Sequence, residues 1–174
     1  RGAIYCYREW YGCGLPNIGL RLIPEQVRDG ILQRQDEKIN YSVADPAIFA
    51  QDSGPSIAER MQPIPFIRAD NARVARSGHI GGWAEMRGRM VGHEVPYMYW
   101  DHTCTGAIRT IPALQHDHSR VEDVQTESED HCGDTSRYAA MSRPWATANI
   151  LPFVKKDRWD RAFDREPASD WKTA

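Results

Sequence analysis

The stretch EDHCGDTSRYAAMSRPW at 129–145 contains three acids and a histidine within six residues. Side chains of these types can bind a metal ion. Asp130 and Asp134 stand at the i, i+4 spacing, so a helix would place both carboxylates on one face. Like charges in that relation cost roughly a few tenths of a kcal/mol unless a positive group compensates them. Two interpretations stay open: a solvated first turn that includes Glu129 and is favoured by the helix dipole, or oxygen ligands for a divalent metal.

A further acid, Asp45, ends a predicted strand at 39–44. Sites in open α/β sheets form at the carboxyl ends of strands, and the acidic helix must pack back on the same sheet. We therefore expect Asp45 and Asp134 to approach each other. Carboxylates around two metal ions are the usual arrangement for in-line phosphoryl displacement. An Asp-Pro pair at a strand end is more often a turn than a ligand, so the pattern is not specific by itself.

The charge is unevenly distributed, although the 174-residue chain has a net charge of only −2. Residues 60–90 carry six arginines against two acids, and residues 115–134 carry seven acids against Arg120. A metal site beside a phosphate-binding surface would need this separation, and Arg73 and Arg76 are the candidates for phosphate contact. Two solvated faces of opposite charge would explain the same counts.

Several function classes are disfavoured by what the sequence lacks. No apolar run approaches the roughly 18 residues of a membrane span, and no signal peptide is recognisable. The four cysteines form no CxxC pair, which favours buried thiols in a reducing compartment over a disulfide framework or a zinc finger. No GxxxxGK[ST] loop occurs, so hydrolysis of nucleoside triphosphates is not expected.

Predicted strands and helices alternate along the chain, which favours an α/β fold. The predicted strands cover 3–11, 39–44, 64–69 and 96–100, with GCGLPN as a loop after the first. The predicted helices begin at Pro24 and near residue 55, and cover 82–91, 103–114 and 129–141. Trp83, Met86 and Met90 recur at helical spacing and are assigned to the core. We expect one mixed sheet, with strand 3–11 on its antiparallel side and strand 39–44 at its centre.

Four motifs occur in the order ADPAIF, ADNARV with GGWAEMRGRM, CTGAIRTIPALQHD, and EDHCGDTSRYAAMSRPW. Together they resemble the C-terminal nuclease domain of the large terminase subunit of tailed bacteriophages and prophages. The resemblance covers 1–145 and leaves 146–174 as a C-terminal tail. It implies a ribonuclease H-like fold, a mixed sheet flanked by helices, that lacks its first strand or strands in this chain. It also implies an endonuclease that uses Mg²⁺ or Mn²⁺ to cut concatemeric double-stranded DNA.

By position in these motifs, Asp45 matches the family's second acid and Asp134 its third. The resemblance makes Asp45, Asp134 and His131 the expected catalytic residues, and Asp45, Asp134 and Asp130 the expected metal ligands. The family's first acid would precede the strand at 3–11, and the sequence begins at Arg1. We therefore expect this chain to be an N-terminally incomplete nuclease domain that is inactive by itself if that acid is essential.

The resemblance also sets expectations about context. The partners would be double-stranded DNA, a packaging ATPase domain, the small terminase subunit and the portal, and no membrane. The location would be the cytoplasm of the bacterial host. Two alternatives stay open: a ribonuclease H-like module that docks DNA or the portal without cutting, and, more remotely, a junction resolvase or transposase of the same fold class.

Overall fold

The computed structural model describes residues 3–51, 53–93 and 97–143, so the tail at 146–174 lies outside the described residues. The strands are β1 (Ile4–Cys6), β2 (Cys13–Leu15), β3 (Ile18–Gly19), β4 (Ser42–Ala44), β5 (Phe66–Arg68) and β6 (Met98–Trp100). The α-helices are α1 (Pro24–Gln33), α2 (Ile57–Arg60), α3 (Gly82–Val91), α4 (Thr105–Thr110) and α5 (His131–Ser142). Short 3-10 turns follow β4 at Pro46–Phe49 and α4 at Ile111–Ala113.

The α/β class is confirmed, and the strands of the described residues pair as three two-stranded ladders. β1 pairs with β6 in parallel, β4 pairs with β5 in parallel, and β2 and β3 form an antiparallel hairpin. The expectation that the first strand lies on an antiparallel side is wrong, because its ladder partner β6 runs parallel to it. β4 has one partner among the described residues, so the expected central position is not seen there. Strand–helix alternation predicts crossovers but not which strands become neighbours.

The loop predicted at GCGLPN contains a hairpin instead. Cys13 pairs with Gly19 and Leu15 with Ile18, across a turn in which Asn17 has a φ of 57°. Asparagine tolerates the left-handed region better than most residues, so the turn closes without a glycine at this position. Two- and three-residue strands are too short to show the alternating pattern by which strands are recognised.

Helix α5 packs against elements from several parts of the chain. Its Ala140 is fully buried with Met86 of α3 and Met98 of β6, and its Cys132 is buried with residues of α4. It also packs against β4. The predicted core role of Met86 is confirmed, whereas Met90 is 38% exposed. Because α5 packs against α3, β6, α4 and β4, its side chains are fixed in position relative to β4 and α3.

Candidate functional site

Asp45 meets α5 through a tyrosine. The Tyr138 hydroxyl donates a hydrogen bond to Asp45 Oδ2, while Asp45 Oδ1 accepts one from the Ala47 backbone N–H at 2.7 Å. The second bond caps the 3-10 turn after β4. Asp45 is therefore a turn residue, as the Asp-Pro pair indicates, and its other oxygen faces the acidic helix.

Asn71 and Arg137 continue this contact to Asp134. Asn71 Oδ1 lies 3.3 Å from the Tyr138 hydroxyl oxygen and accepts a hydrogen bond from Arg137 Nη2 at 3.0 Å. Arg137 in turn donates to Asp134 Oδ1 from Nη2 at 2.9 Å and from Nε at 3.1 Å. Asp45 and Asp134, which come from distant parts of the chain, are thus joined by one network of side chains.

Arg137 is the most enclosed charged side chain of the described residues, with no exposed surface. Its guanidinium lies 5.3 Å from the Trp83 ring centroid and 4.6 Å from that of Tyr138, distances at which cation–π attraction operates. Gly82 makes room for its stem, since a Cβ there would lie 2.7 Å from Arg137 Cγ. A fully buried guanidinium requires a carboxylate partner, and Asp134 supplies it.

Arg73 approaches the same helix from the segment between β5 and α3. It donates to Asp123 Oδ1 at 2.7 Å and to the Val124 carbonyl at 2.9 Å. Its Nη1 then lies 3.6 Å from Asp134 Oδ1 and 3.8 Å from Asp130 Oδ2, too far for good hydrogen bonds but close enough for charge attraction. We call Arg73, Asp123, Asp130, Asp134 and Arg137 the Arg73 cluster. It sets three carboxylates against two guanidinium groups.

The surroundings of Asp130 and Asp123 shift the pKa values of their carboxyl groups in opposite directions. The pKa of Asp130 is raised, first by burial and then by the negative charge of Asp134. Burial is the largest single influence on Asp123 and raises its pKa, but the hydrogen bonds from Arg73, the Val124 N–H and Trp83, together with the charge of Arg73, outweigh it, so the pKa of Asp123 is lowered. Arg73 and Arg137 offset part of the Asp130–Asp134 repulsion, which answers the question raised by the spacing of these acids: within the described residues they face arginines.

Glu129, next to Asp130, belongs to a different contact. It receives two hydrogen bonds from Arg109, at 2.6 and 2.7 Å, and one from the Tyr11 hydroxyl. These donors, Arg109 first, hold the pKa of Glu129 at about 2. We call Tyr11, Arg109 and Glu129 the Glu129 tie. The solvated-first-turn interpretation fails here, since Glu129 is paired and the N-cap residue Asp130 makes no side-chain capping bond.

The other two expected site residues point elsewhere. The His131 side chain is 56% exposed, with Nδ1 3.9 Å from Asp130 Oδ1. It borders a cavity of about 550 Å³ that all four cysteines also line, on a different face of α5 from Asp134 and Arg137. Arg76 is exposed in a turn where its backbone pairs with His79. Arg73 is turned inward instead, so phosphate contact stays a prediction for both arginines.

The acids fit a hard divalent cation in chemistry, since Mg²⁺ and Mn²⁺ prefer carboxylate oxygens. Asp45 and Asp134 lie in one network, and Asp130 is the next carboxylate along the helix. In 3–51, 53–93 and 97–143, however, no group of three or more His, Cys, Asp or Glu side chains is arranged to hold a metal ion.

Sequence reasoning did not single out Asn71, Asp123, Arg137 or Tyr138. Arg137 and Tyr138 could have been found, because they stand at i+3 and i+4 from Asp134, where helix neighbours interact. Asp123 lies in a polar loop, and nothing local indicates that this loop folds back onto Arg73.

The chain matches no protein-family model, no curated protein and no solved structure. Among the described residues, no helix combines the length and apolarity needed to cross a bilayer.

Proposed function

We propose that this chain forms most of a ribonuclease H-like, divalent-metal-dependent DNA endonuclease domain of the terminase type. One observation carries the proposal. Asp45 at the end of β4 and Asp134 on α5 are the two acids that the motif resemblance assigns to the site, and Tyr138, Asn71 and Arg137 connect them. Mg²⁺ or Mn²⁺, when bound, would activate the attacking water and stabilise the leaving oxygen of the phosphodiester.

The chain's own residues would contribute by holding the acids in place before the ion arrives. The Ala47 N–H and the Tyr138 hydroxyl fix both oxygens of Asp45. Arg137, enclosed by the aromatic rings of Trp83 and Tyr138, fixes one oxygen of Asp134. Ligands held in this way lose little conformational entropy when they bind a cation.

A third acid would have to come from outside the described residues, as the resemblance implies. Thr135 and Ala139 of α5 border two cavities, one reaching Cys6 of β1 and the other reaching Val43 of β4. Two-stranded parallel ladders are rarely stable alone, since parallel sheets are normally wider and covered on both faces. A strand added between the two ladders would pack on Thr135 and Ala139 and could carry the acid to Asp45.

Plasmid digestion with Mn²⁺ tests the proposal. The 174-residue chain is compared with one that begins roughly 15–25 residues earlier in its gene, enough for two short strands and a turn. We expect weak or no cutting by the shorter chain, and nicking followed by linearisation by the longer one. In the longer chain, Asp45→Asn or Asp134→Asn should each abolish cutting, and the exposed control Asp36→Asn should not.

Salt is held constant, because phosphate binding is salt-dependent. A longer chain that is folded, binds DNA and never cuts would refute the nuclease proposal. Efficient cutting by the shorter chain would show that the first acid is dispensable.

A second candidate is a non-cleaving module that docks DNA or the portal. It is favoured by the Arg73 cluster, in which Asp130 and Asp134 already have arginine partners. DNA binding without Mn²⁺-dependent cutting, unchanged in Asp134→Asn, is the result that would select it. With either candidate we propose the same setting: the bacterial host cytoplasm, with the packaging ATPase domain and small terminase subunit as companions.

A further inference from the structure

We infer that the cavity between the segment before β4 and the end of α5 binds a phosphate group through Lys38, Tyr41 and Arg143. The choice of the DNA backbone as the source of that phosphate rests on the proposed function. The cavity has a volume of about 360 Å³. The described residues that line it include two cations and four uncharged side chains that can form hydrogen bonds, and none of them is Asp or Glu. The cations are Lys38 and Arg143, and the uncharged four are Asn40, Tyr41, Thr135 and Ser142.

The two cations of this cavity differ from three arginines nearer the start of α5 in having no acidic partner among the described residues. Arg73, Arg109 and Arg137 each form an ion pair with a carboxylate. In 3–51, 53–93 and 97–143, no carboxylate lies within ion-pair distance of Lys38 or Arg143. Two positive side chains with no acid between them create a positive potential, which attracts an anion.

Arg143 is held in place from two sides. Its backbone carbonyl accepts a hydrogen bond from Arg89, and its Nε donates one to the Tyr41 hydroxyl oxygen at 3.2 Å. The hydrogen bond from Arg143 is the largest of the influences that lower the pKa of the Tyr41 phenol. Neither Nη group of Arg143 has an acceptor among the described residues. Both can therefore donate the forked pair of hydrogen bonds that a phosphate accepts.

The cavity and Asp45 lie at opposite ends of β4. Tyr41 precedes this strand and Asp45 follows it, and the four residues between their positions correspond to roughly 13 Å of extended chain. About four base pairs of duplex DNA cover the same length. A duplex that reaches Asp45 could thus place another backbone phosphate in the cavity. The inference does not use Thr135 or Ala139, on which the proposed additional strand would pack.

Fluorescence anisotropy with a short labelled duplex measures DNA binding by the 174-residue chain at several salt concentrations in EDTA. We expect Lys38→Gln and Arg143→Gln each to weaken binding about three- to tenfold and to lower the salt dependence by about one counterion. Lys38→Arg keeps the charge and should bind like the wild type. Tyr41→Phe removes the group that orients Arg143 and should weaken binding by about threefold or less. Arg87→Gln, at an exposed arginine of α3, is the matched control and should change nothing.

A second arm separates the DNA backbone from a free phosphate. Inorganic phosphate is titrated calorimetrically into the wild type and Arg143→Gln at constant ionic strength. Phosphate binding that Arg143→Gln loses, in a chain that binds no DNA, would uphold the phosphate site, assign it to a small phosphorylated ligand and remove support from the proposed function. The variants should melt like the wild type, because the hydrogen bond from Arg89 is made to the backbone of Arg143 and not to the replaced side chain.

The inference is overturned if the double variant Lys38→Gln, Arg143→Gln binds DNA and phosphate as the wild type does, or if the wild type binds neither. If these variants match the wild type while the longer chain cuts plasmid, the inference fails and the proposed function stands. If DNA binding falls as expected but no folded form ever cuts, the inference stands and the nuclease proposal fails.

Discussion

The Arg73 cluster and the Glu129 tie include two adjacent residues, Asp130 and Glu129, that come immediately before α5, yet they differ in how completely their charges are matched. In the tie, one carboxylate meets one guanidinium through two close hydrogen bonds, and Tyr11 adds a third. In the cluster, three carboxylates share two guanidinium groups, and two of the contacts are 3.6 and 3.8 Å long. The tie is saturated, whereas the cluster retains an excess of negative charge.

The comparison shows that a run of acids at a helix start need not have one purpose. Glu129 joins α5 to α4 and to the segment after β1, which is a structural role. Asp130 and Asp134 belong to the Arg73 cluster, and Arg137, Asn71 and Tyr138 connect Asp134 to Asp45. Burial makes the excess negative charge of the cluster costly unless something positive is nearby, because a partly buried charge is screened less than an exposed one.

The largest effect on the Arg73 cluster is expected from replacing Arg137 by methionine. The guanidinium is fully buried, and its loss leaves Asp134 and Asn71 without their close donor. We expect a loss of about 3 kcal/mol in the free energy of unfolding, measured by urea denaturation. Arg87→Met, at an exposed arginine of α3, should stay within about 0.5 kcal/mol of the wild type. A loss below about 1 kcal/mol for Arg137→Met would mean that the Arg73 cluster contributes little to stability.

Gly82→Ala should disturb the cluster without changing any charge. The added Cβ would lie 2.7 Å from Arg137 Cγ and 2.8 Å from the Ala72 carbonyl oxygen, so backbone or guanidinium must shift. We expect a destabilisation of about 1–3 kcal/mol by the same assay. Gly88→Ala in the same helix meets nothing within 4 Å and should instead stabilise by up to about 1 kcal/mol. Similar effects of the two substitutions would contradict this packing.

Glu129→Gln should show the contribution of the Glu129 tie to stability through the pH dependence of the melting temperature. The folded-state pKa of Glu129 is depressed to about 2 from an ordinary value of 4.5, so its contribution to stability is present above pH 4.5. That contribution is lost as the pH falls from about 4.5 to about 2, where the carboxylate becomes protonated in the folded protein. In Glu129→Gln, the fall in melting temperature over this window should be shallower than in the wild type. If the melting temperature falls equally in Glu129→Gln and in the wild type over this pH range, the Glu129 tie does not stabilise the fold.

The helices follow from the sequence better than the sheets. The apolar spacing of Trp83 and Met86 predicts a helix over 82–91, and α3 has those bounds. Pro24 opens α1, as a proline at the first helical position should. The ladders are only two or three residues long, and their partners are set by tertiary packing rather than by local pattern. That is why the parallel partner of β1 was not predicted.

The candidate site follows from the sequence in part, for a related reason. The packing of α5 against β4 follows from α/β layering and is seen in the Tyr138–Asp45 contact. The inward turn of Arg73 depends on Asp123, which arrives from a loop whose path no periodicity encodes. Charges counted along the chain predict that opposite segments attract, but they do not identify which arginine meets which acid.

The central claim is that Asp45 and Asp134 serve one cation site, and a double-mutant cycle tests it most directly. The Mn²⁺-induced shift in melting temperature is measured for the upstream-extended wild type, Asp45→Asn, Asp134→Asn and the double variant. If both acids hold the same ions, each single substitution removes the shift and the double variant loses nothing more, because groups acting as a unit are not additive. Independent, additive losses, or a full shift in Asp134→Asn, would show that the cation binds elsewhere and would contradict the account.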